Sequence, residues 1–289
     1  MLSASYAAHA SFKIDINGLI SGQQITPATA LPGEVLNLST YGETVIAVFG
    51  TNIGIRQLTD DRWSITAPKK AGVYPLHLTD VEGATKSVQL LVTEPYVGQQ
   101  SQSGYRIGTY PNPKTAPKPR LYPYPRGLVE VDEHNHSEHI SNHFKLSQFL
   151  CKQESDWPRY VVIQRPLVVM LENIVTLLQS KGVPLTTLSV LSGYRTPLYN
   201  AGLGNVAYSR HIYGDAADIY VDSDDDGFMD DLNGDGVVSL QDAQLLGQLI
   251  ATLPEAQQAG IGIYAATPNH GPFVHVDTRG YNARWGKWP

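Results

Sequence analysis

The sequence predicts a multi-domain protein, with a β-sandwich in its N-terminal third and an α+β domain in its C-terminal half. Three observations carry this expectation. Short β-rich runs recur up to residue 95 with no helical period, a proline- and tyrosine-rich stretch follows over 96–127, and helix and strand patterns mix from residue 128 onward. A length of 289 residues also suits two domains at roughly 100–200 residues each.

In the first part the β-rich runs are Phe12–Ile16, Glu34–Leu38, Thr44–Phe49, Arg62–Thr66, Val73–Leu78 and Ser87–Val92. Their spacing of about ten residues, with turn residues between, is that of a β-sandwich. The stretch Ala71-Gly-Val-Tyr74, followed by strand, turn and strand, resembles bacterial immunoglobulin-like modules and identifies no site. Pro111, Pro113, Pro117, Pro119, Pro123 and Pro125 then alternate with tyrosines; such a segment cannot build a ladder, and it reads either as an extended, semi-rigid linker or as a strap docked on a domain surface.

In the last part, Pro166 opens a helix whose apolar positions Leu167, Met170, Leu171, Ile174, Val175 and Leu178 follow the 3.6-residue period, and Lys181-Gly182 closes it. Leu240, Ala243, Leu246, Leu249, Ile250 and Leu253 form a second amphipathic helix that stops at Pro254. Strand-like runs lie at Ser189–Leu191, Asp218–Val221, Ile261–Tyr264 and Phe273–Val276. Without a strict βαβ rhythm they imply α+β, and the expected boundaries are 1–95, 96–127 and 128–289.

Composition excludes several classes. The formal charge is −6 with 17% charged residues, so there is no basic footprint for nucleic acid. Eight acidic residues fall between Asp222 and Asp242 with no Lys or Arg among them, so the acidity is local and the remainder is slightly basic. The best apolar stretch, Tyr160 to Leu178, is interrupted by Arg165, Pro166 and Glu172, so no membrane span is expected. Cys151 is the only cysteine, which rules out an intrachain disulfide, and its apolar neighbours predict a buried, inert thiol. Ala8-His9-Ala10 has the look of a cleavage site, but no complete signal peptide precedes it.

The chemistry concentrates late in the chain. His211 lies in a glycine-containing loop, while Asp218 and His275 lie on predicted strands. Two histidines and a carboxylate with one position open is a recipe for catalytic zinc; isolated His and Asp residues at strand ends also serve as plain hydrogen-bonded groups. Along the chain stand Ser192-Gly-Tyr-Arg195-Thr-Pro, Ser209-Arg-His211-x-x-Gly-x-Ala-x-Asp218-Ile, Gly260-x-Gly-x-Tyr264, Phe273-Val-His275-Val-Asp277-x-Arg279 and Arg284-Trp285. In this order they resemble the zinc D-alanyl-D-alanine carboxypeptidase and murein endopeptidase family, which shares its metal-site fold with the hedgehog signalling domain. The resemblance covers roughly residues 140–288. It implies zinc on His211, Asp218 and His275, and substrate and oxyanion contact by Arg195. Ser209 and Tyr264 are further substrate-binding candidates, while Tyr264 and Trp285 also read as partly core with a second use lining the cleft.

One position departs from that pattern. Several relatives carry an acidic base three residues before the last zinc histidine, where this chain has Pro272. Asp277 shares a strand face with His275, about 6.6 Å along, and could activate water or orient a zinc ligand. His270 is a second candidate for the base.

A calcium loop is also expected. Asp231, Asn233, Asp235, Ser239 and Asp242 occupy positions 1, 3, 5, 9 and 12 of a calcium-binding spacing, with Gly236 at position 6 and Val237 offering its carbonyl at position 7. The arrangement resembles dockerin-type loops, and Asp222, Asp224, Asp226 and Asp230 repeat the first part of the pattern. The alternative is a solvated acidic loop. His134, His136, His139 and His143 form a further, weaker metal candidate.

The reading implied is a zinc-dependent peptidase that cuts D-amino-acid-containing bonds of peptidoglycan stem peptides or cross-links, with calcium structural in an insertion at 222–242. It would work in the cell envelope, periplasmic or secreted. The alternatives are a wall-binding or scaffolding protein that keeps the fold with little activity, for which Pro272 speaks, and a zinc amidase or esterase of the envelope. Oligomeric state is left open.

Overall fold

The computed structural model describes residues 12–289, so the Ala8-His9-Ala10 motif lies outside the described residues. The chain divides into two compact units: the residues up to Pro95 together with His139–Asn142, and Tyr96–Glu138 together with His143–Pro289.

The first unit is all β. Its strands are β1 (Lys13–Ile16), β2 (Leu19–Ser21), β3 (Ile25–Ala30), β4 (Val35–Tyr41), β5 (Val45–Gly50), β6 (Gly54–Thr59), β7 (Arg62–Thr66), β8 (Gly72–Asp80), β9 (Thr85–Val92) and the short β10 (Glu94–Pro95). One sheet runs β2-β1-β4-β7-β6 and another β3-β9-β8-β5. Period-two alternation turns Ile14, Ile16, Leu36, Leu38, Trp63 and Ile65 of the first sheet inward. They share one core with Ala28, Ala30, Leu76, Leu78, Val88 and Leu90 of the second. Each of the six expected strands has its counterpart here, while β2, β3 and β6 were not legible. β3 carries Pro27 and survives because it is an edge strand, paired in parallel with β9 only. β6 is the opposite kind of edge, polar and mostly exposed, so it has no apolar alternation to read.

In the second unit β11 (Ser101–Gln102) and β12 (Tyr105–Arg106) form a small hairpin, and β13 (Gly127–Val131) pairs with β14 (Arg159–Val161). After them come α1 (Arg165–Ser180), β15 (Ser189–Ser192), α2 (Pro197–Gly202), β16 (Ala216–Tyr220), α3 (Leu240–Ala251), β17 (Gly260–Tyr264), β18 (Phe273–Asp277) and β19 (Ala283–Gly286). The 96–127 segment docks within this unit. Tyr105, Ile107, Tyr110 and Tyr122 are buried, the Tyr110 and Tyr194 hydroxyls share a hydrogen bond at 2.9 Å, and Arg210 Nη1 donates to the Leu121 carbonyl at 2.5 Å. Prolines leave carbonyls without ladder partners and so open to side-chain donors, while the tyrosines supply apolar area.

The sheet order β15-β16-β18-β17-β19 decides where chemistry can occur. Neighbours are antiparallel except β17 and β19, which run parallel. Asp218 pairs with both Ser192 and His275, His275 with Gly262, and Gly262 with Trp285, so these residues line one face. Ala217, Ile219, Ile261, Ile263, Val274 and Val276 point to the other face and are fully buried. Helix α3 packs on β17 and β18, where Gly247 lies so close to Ile263 that a Cβ would come within 2.7 Å of its Cδ1.

The loop into β16 is fixed by one glycine. A 3-10 turn, Arg210–Tyr213, ends at Gly214 with φ +71°, and a Cβ there would stand 2.1 Å from the Val162 carbonyl oxygen. Gly214→Ala is therefore expected to lower unfolding free energy by about 2 kcal/mol or more, combining left-handed backbone strain with a backbone clash. A denaturant midpoint shifted down at constant m-value checks this.

Candidate metal centre

His211 leaves the 3-10 turn, Asp218 stands mid-strand on β16, and His275 stands opposite it on β18. Their side chains converge. His211 Nε2 lies 3.2 Å from Asp218 Oδ1, His275 Nδ1 lies 2.8 Å from the same oxygen, and the two nitrogens are 3.1 Å apart. All three residues are buried, with Asp218 only 4% exposed.

The outer partners settle which ring nitrogens face inward. The Gly193 carbonyl, 2.7 Å from His211 Nδ1, is able only to accept, so Nδ1 carries the proton and Nε2 presents a lone pair. On His275 the roles reverse: Nε2 donates to Asp277 Oδ2 at 3.0 Å, and Nδ1 turns to the triangle. A metal histidine ordinarily donates its second N–H to a carbonyl or carboxylate in this way. Zinc bound tetrahedrally at about 2.0–2.1 Å needs ligand atoms about 3.3 Å apart, and the triangle edges match to about half an ångström. Two neutral imidazoles and a carboxylate are also the right chemistry for that ion. Among the described residues, His211, Asp218 and His275 form a group able to hold a metal.

Electrostatics agree with a site built for a cation. Burial works to raise Asp218, but His211 and His275 hold its carboxyl well below the usual range. Burial pulls His211 below its ordinary value, with Asp218 opposing. On His275 burial acts downward too, yet its hydrogen bonds to the Asp218 and Asp277 carboxylates prevail and lift it to about 9. Arg195 completes the arrangement, with Nε donating to Ser192 Oγ at 2.8 Å and Nη2 paired with Asp218 Oδ2.

The other expected residues fall as follows. Asp277 is fully buried beyond His275, on the Nε2 side of the ring and away from Nδ1. Arg279 holds both its oxygens, and despite burial, Arg279 and His275 keep the carboxyl below the usual range. Asp277 thus meets the ring nitrogen opposite the one turned toward the triangle. His270 sits edge-on to Phe273, with Nδ1 on the Gly271 carbonyl at 2.8 Å. Tyr264, 36% exposed, stacks on Phe273 and accepts a hydrogen bond from Trp285 Nε1 at 2.8 Å. Ser209 is buried at the start of the 3-10 turn.

Elsewhere, Cys151 is buried with Sγ accepting the Thr196 N–H, as its apolar neighbours predict. His143 is bound to the buried Glu172, His136 packs on Trp157, and neither joins a metal-capable group among the described residues. In the acidic insertion the Asp222, Asp224 and Asp226 carboxylates gather within 4.8 Å of one another. Asp230 accepts from Ser223. In the second loop Asp231 accepts the N–H groups of Gly234, Asp235 and Gly236. The buried Asp242 accepts those of Leu232, Asn233 and Ser239 and so caps α3.

Sequence reasoning missed the roles of the Gly193 carbonyl, Ser192 and Arg279. The Gly260-x-Gly262 pair has a packing reason. A Cβ on Gly262 would meet the Trp285 indole at 2.5 Å, and one on Gly260 would meet Arg279 and Asp277 at 2.5 and 2.6 Å. Those glycines are the space in which the His275 surroundings pack. The only signal available was two glycines on a strand, which mark a close approach by something else.

Residues 142–232 match the family model described as Peptidase M15, a segment that includes His211 and Asp218. M15 peptidases are zinc-dependent, so the match supports a metallopeptidase as the class of protein. A comparison with curated proteins returns no match. Among solved structures, an endo-fucoidan hydrolase of glycoside hydrolase family 107 shares 20% identity over 29% of this chain and 15% of its own, with a TM-score of 0.20. A Bacteroides ovatus protein of a mixed-linkage glucan utilization locus, SGBP-B in complex with a heptasaccharide, shares 18% identity over 24% of this chain and 20% of its own, with a TM-score of 0.11. The chain thus spans less than a quarter of either structure's length. No helix among the described residues is long and apolar enough to cross a membrane.

Gly262→Ala is expected to push Trp285 off His275 and to lower stability by about 1–3 kcal/mol, the range for overpacking. Denaturant titration followed by tryptophan fluorescence measures both effects.

Proposed function

We propose that the protein is a zinc peptidase of the D,D-carboxypeptidase or endopeptidase type, hydrolysing D-amino-acid-containing bonds in peptidoglycan stem peptides or cross-links. The observation that carries this reading is the triangle of His211, Asp218 and His275, with both outer nitrogens already committed to acceptors. When bound, zinc supplies Lewis acidity, polarising a carbonyl and acidifying water.

The chain's own groups divide the remaining work. Arg195, adjacent to Asp218 and with Nη1 unengaged among the described residues, stabilises the oxyanion that develops on the scissile carbonyl. Tyr264 and Trp285, joined by their hydrogen bond on the site face, form an aromatic wall for substrate, and Ser209 stands at the head of the turn that carries His211. Asp277 orients His275. His270 is the candidate base, supported by an Nε2 that has no partner among the described residues. The substrate class places the protein in the cell envelope, periplasmic or secreted.

The test is digestion of purified sacculi with and without chelator, read by mass spectrometry. Chelator-sensitive release of stem-peptide fragments is expected, and the fragment masses name the bond. Sacculi bound but uncut would favour the wall-binding reading, for which Pro272 in place of an acidic base is the motive. His275→Ala is expected to lose stoichiometric zinc, and Arg195→Ala to keep zinc while turnover falls at least roughly tenfold, the low side of losing an oxyanion donor.

Calcium in the 222–242 insertion belongs to the same proposal, as a structural ion. Its support is the gathering of Asp222, Asp224 and Asp226 and the spacing of Asp231 to Asp242. Millimolar calcium in zinc-replete buffer is expected to raise the melting temperature by binding the folded state, and less so in Asp235→Ala. A melt insensitive to calcium would make the insertion a solvated loop.

A further inference from the structure

We propose that Arg279 is a positioning residue for the metal centre, clamping Asp277 in the single orientation that holds His275 with Nδ1 toward the triangle. The inference rests on the zinc reading above and goes beyond it, because Arg279 touches neither the triangle nor its inward atoms.

Three observations carry it. First, Arg279 grips Asp277 three times: the backbone N–H and Nε both donate to Oδ1, at 3.1 and 2.7 Å, and Nη2 donates to Oδ2. Asp277 Oδ2 is also the atom that accepts from His275 Nε2. A carboxylate pinned at both oxygens cannot rotate, so the imidazole it anchors cannot rotate either. Second, the same guanidinium lies 4.6 Å from the Trp285 ring, and that ring lies 5.2 Å from the His275 ring. Arg279 thus restrains His275 in two directions, at its edge through Asp277 and over its face through Trp285. Third, the strand makes room for the clamp. Opposite Asp277 on β17 stands Gly260, where a Cβ would come within 2.5 Å of Arg279 Nε and 2.6 Å of Asp277 Oδ2. A planar fork is what this geometry uses; a lysine would keep the charge and lose the two-point grip.

The experiment measures zinc affinity by chelator competition, the visible spectrum of the cobalt-substituted protein, and the melting temperature of the zinc-free protein. Arg279→Gln is expected to weaken zinc binding by about tenfold or more, within the range for losing an outer partner of a metal histidine, and to alter the cobalt spectrum. Arg279→Lys is expected to recover part of the affinity. Gly260→Ala, which crowds the clamp without removing a polar group, is expected to weaken zinc binding in the same direction and keeps the question answerable if Arg279→Gln fails to fold. Asp277→Asn alone and the Asp277→Asn/Arg279→Gln double variant are expected to bind zinc alike, because Arg279 acts through Asp277. An Arg279→Gln protein with a lowered zinc-free melting temperature but parental zinc affinity and cobalt spectrum would make Arg279 merely structural and overturn the proposal. Fully additive losses in the double variant would overturn it too. A parent protein that takes up no zinc would instead overturn the metal reading itself, and this inference with it.

Discussion

Asp218 is a carboxylate taken almost entirely out of water in the middle of a strand, and its need for positive charge organises the second unit. An ionised group so placed carries a desolvation penalty of several kcal/mol unless partners surround it. One oxygen faces two imidazoles and the other faces Arg195. Everything near it supplies or steers those partners. The register of β16 against β18 brings His275 level with it, Gly193 turns His211 toward it, and Ser192 steadies the arginine. The site is thus an answer to a buried negative charge before it is an answer to any substrate, and its two imidazoles and carboxylate form a group able to hold a metal ion.

Much of this was legible in one dimension. The six strongest strands of the first unit and the helices α1 and α3 announced themselves through period, because each buries a single continuous face. The triangle was legible because the residue types and their order are restrictive. What escaped shares one physical cause, namely dependence on a partner distant in sequence. Alternation places Asp277 on the face of His275, but it does not reveal that the imidazole stands between Asp277 and the triangle. Proline content marks 96–127 as unable to build a ladder, but the prolines begin only at Pro111 and the proline-free stretch before them forms the β11–β12 hairpin; docking of the rest depends on Tyr194, Leu198 and Arg210, residues far downstream. The edge strands β3 and β6 hide because one contains proline and the other has no buried stripe.

The acidic insertion shows a different limit. Spacing alone makes both loops look alike, as rings of oxygen donors. In space the Asp222, Asp224 and Asp226 carboxylates gather, and in both loops backbone N–H groups engage carboxylates: those of Asp222 and Asp226 in the first, and those of Asp231 and Asp242 in the second. A donor pattern in sequence specifies which atoms are available, and the fold then decides how many of them are already engaged.

The bare strand β17 has an evolutionary consequence. Gly260 and Gly262 are empty so that Arg279, Asp277 and Trp285 can occupy the volume above them, which makes two packing sets: 260 with 277 and 279, and 262 with 285. Within each set, space vacated by one member is filled by another, so substitutions should travel together along lineages. A homologue with a side chain at the position of Gly262 should have exchanged the indole opposite for something smaller. One that retains the arginine clamp should retain glycine beside it. The ligands themselves would be fixed by chemistry, while the two glycines would be fixed by the bulk of their neighbours and should drift only when those neighbours do.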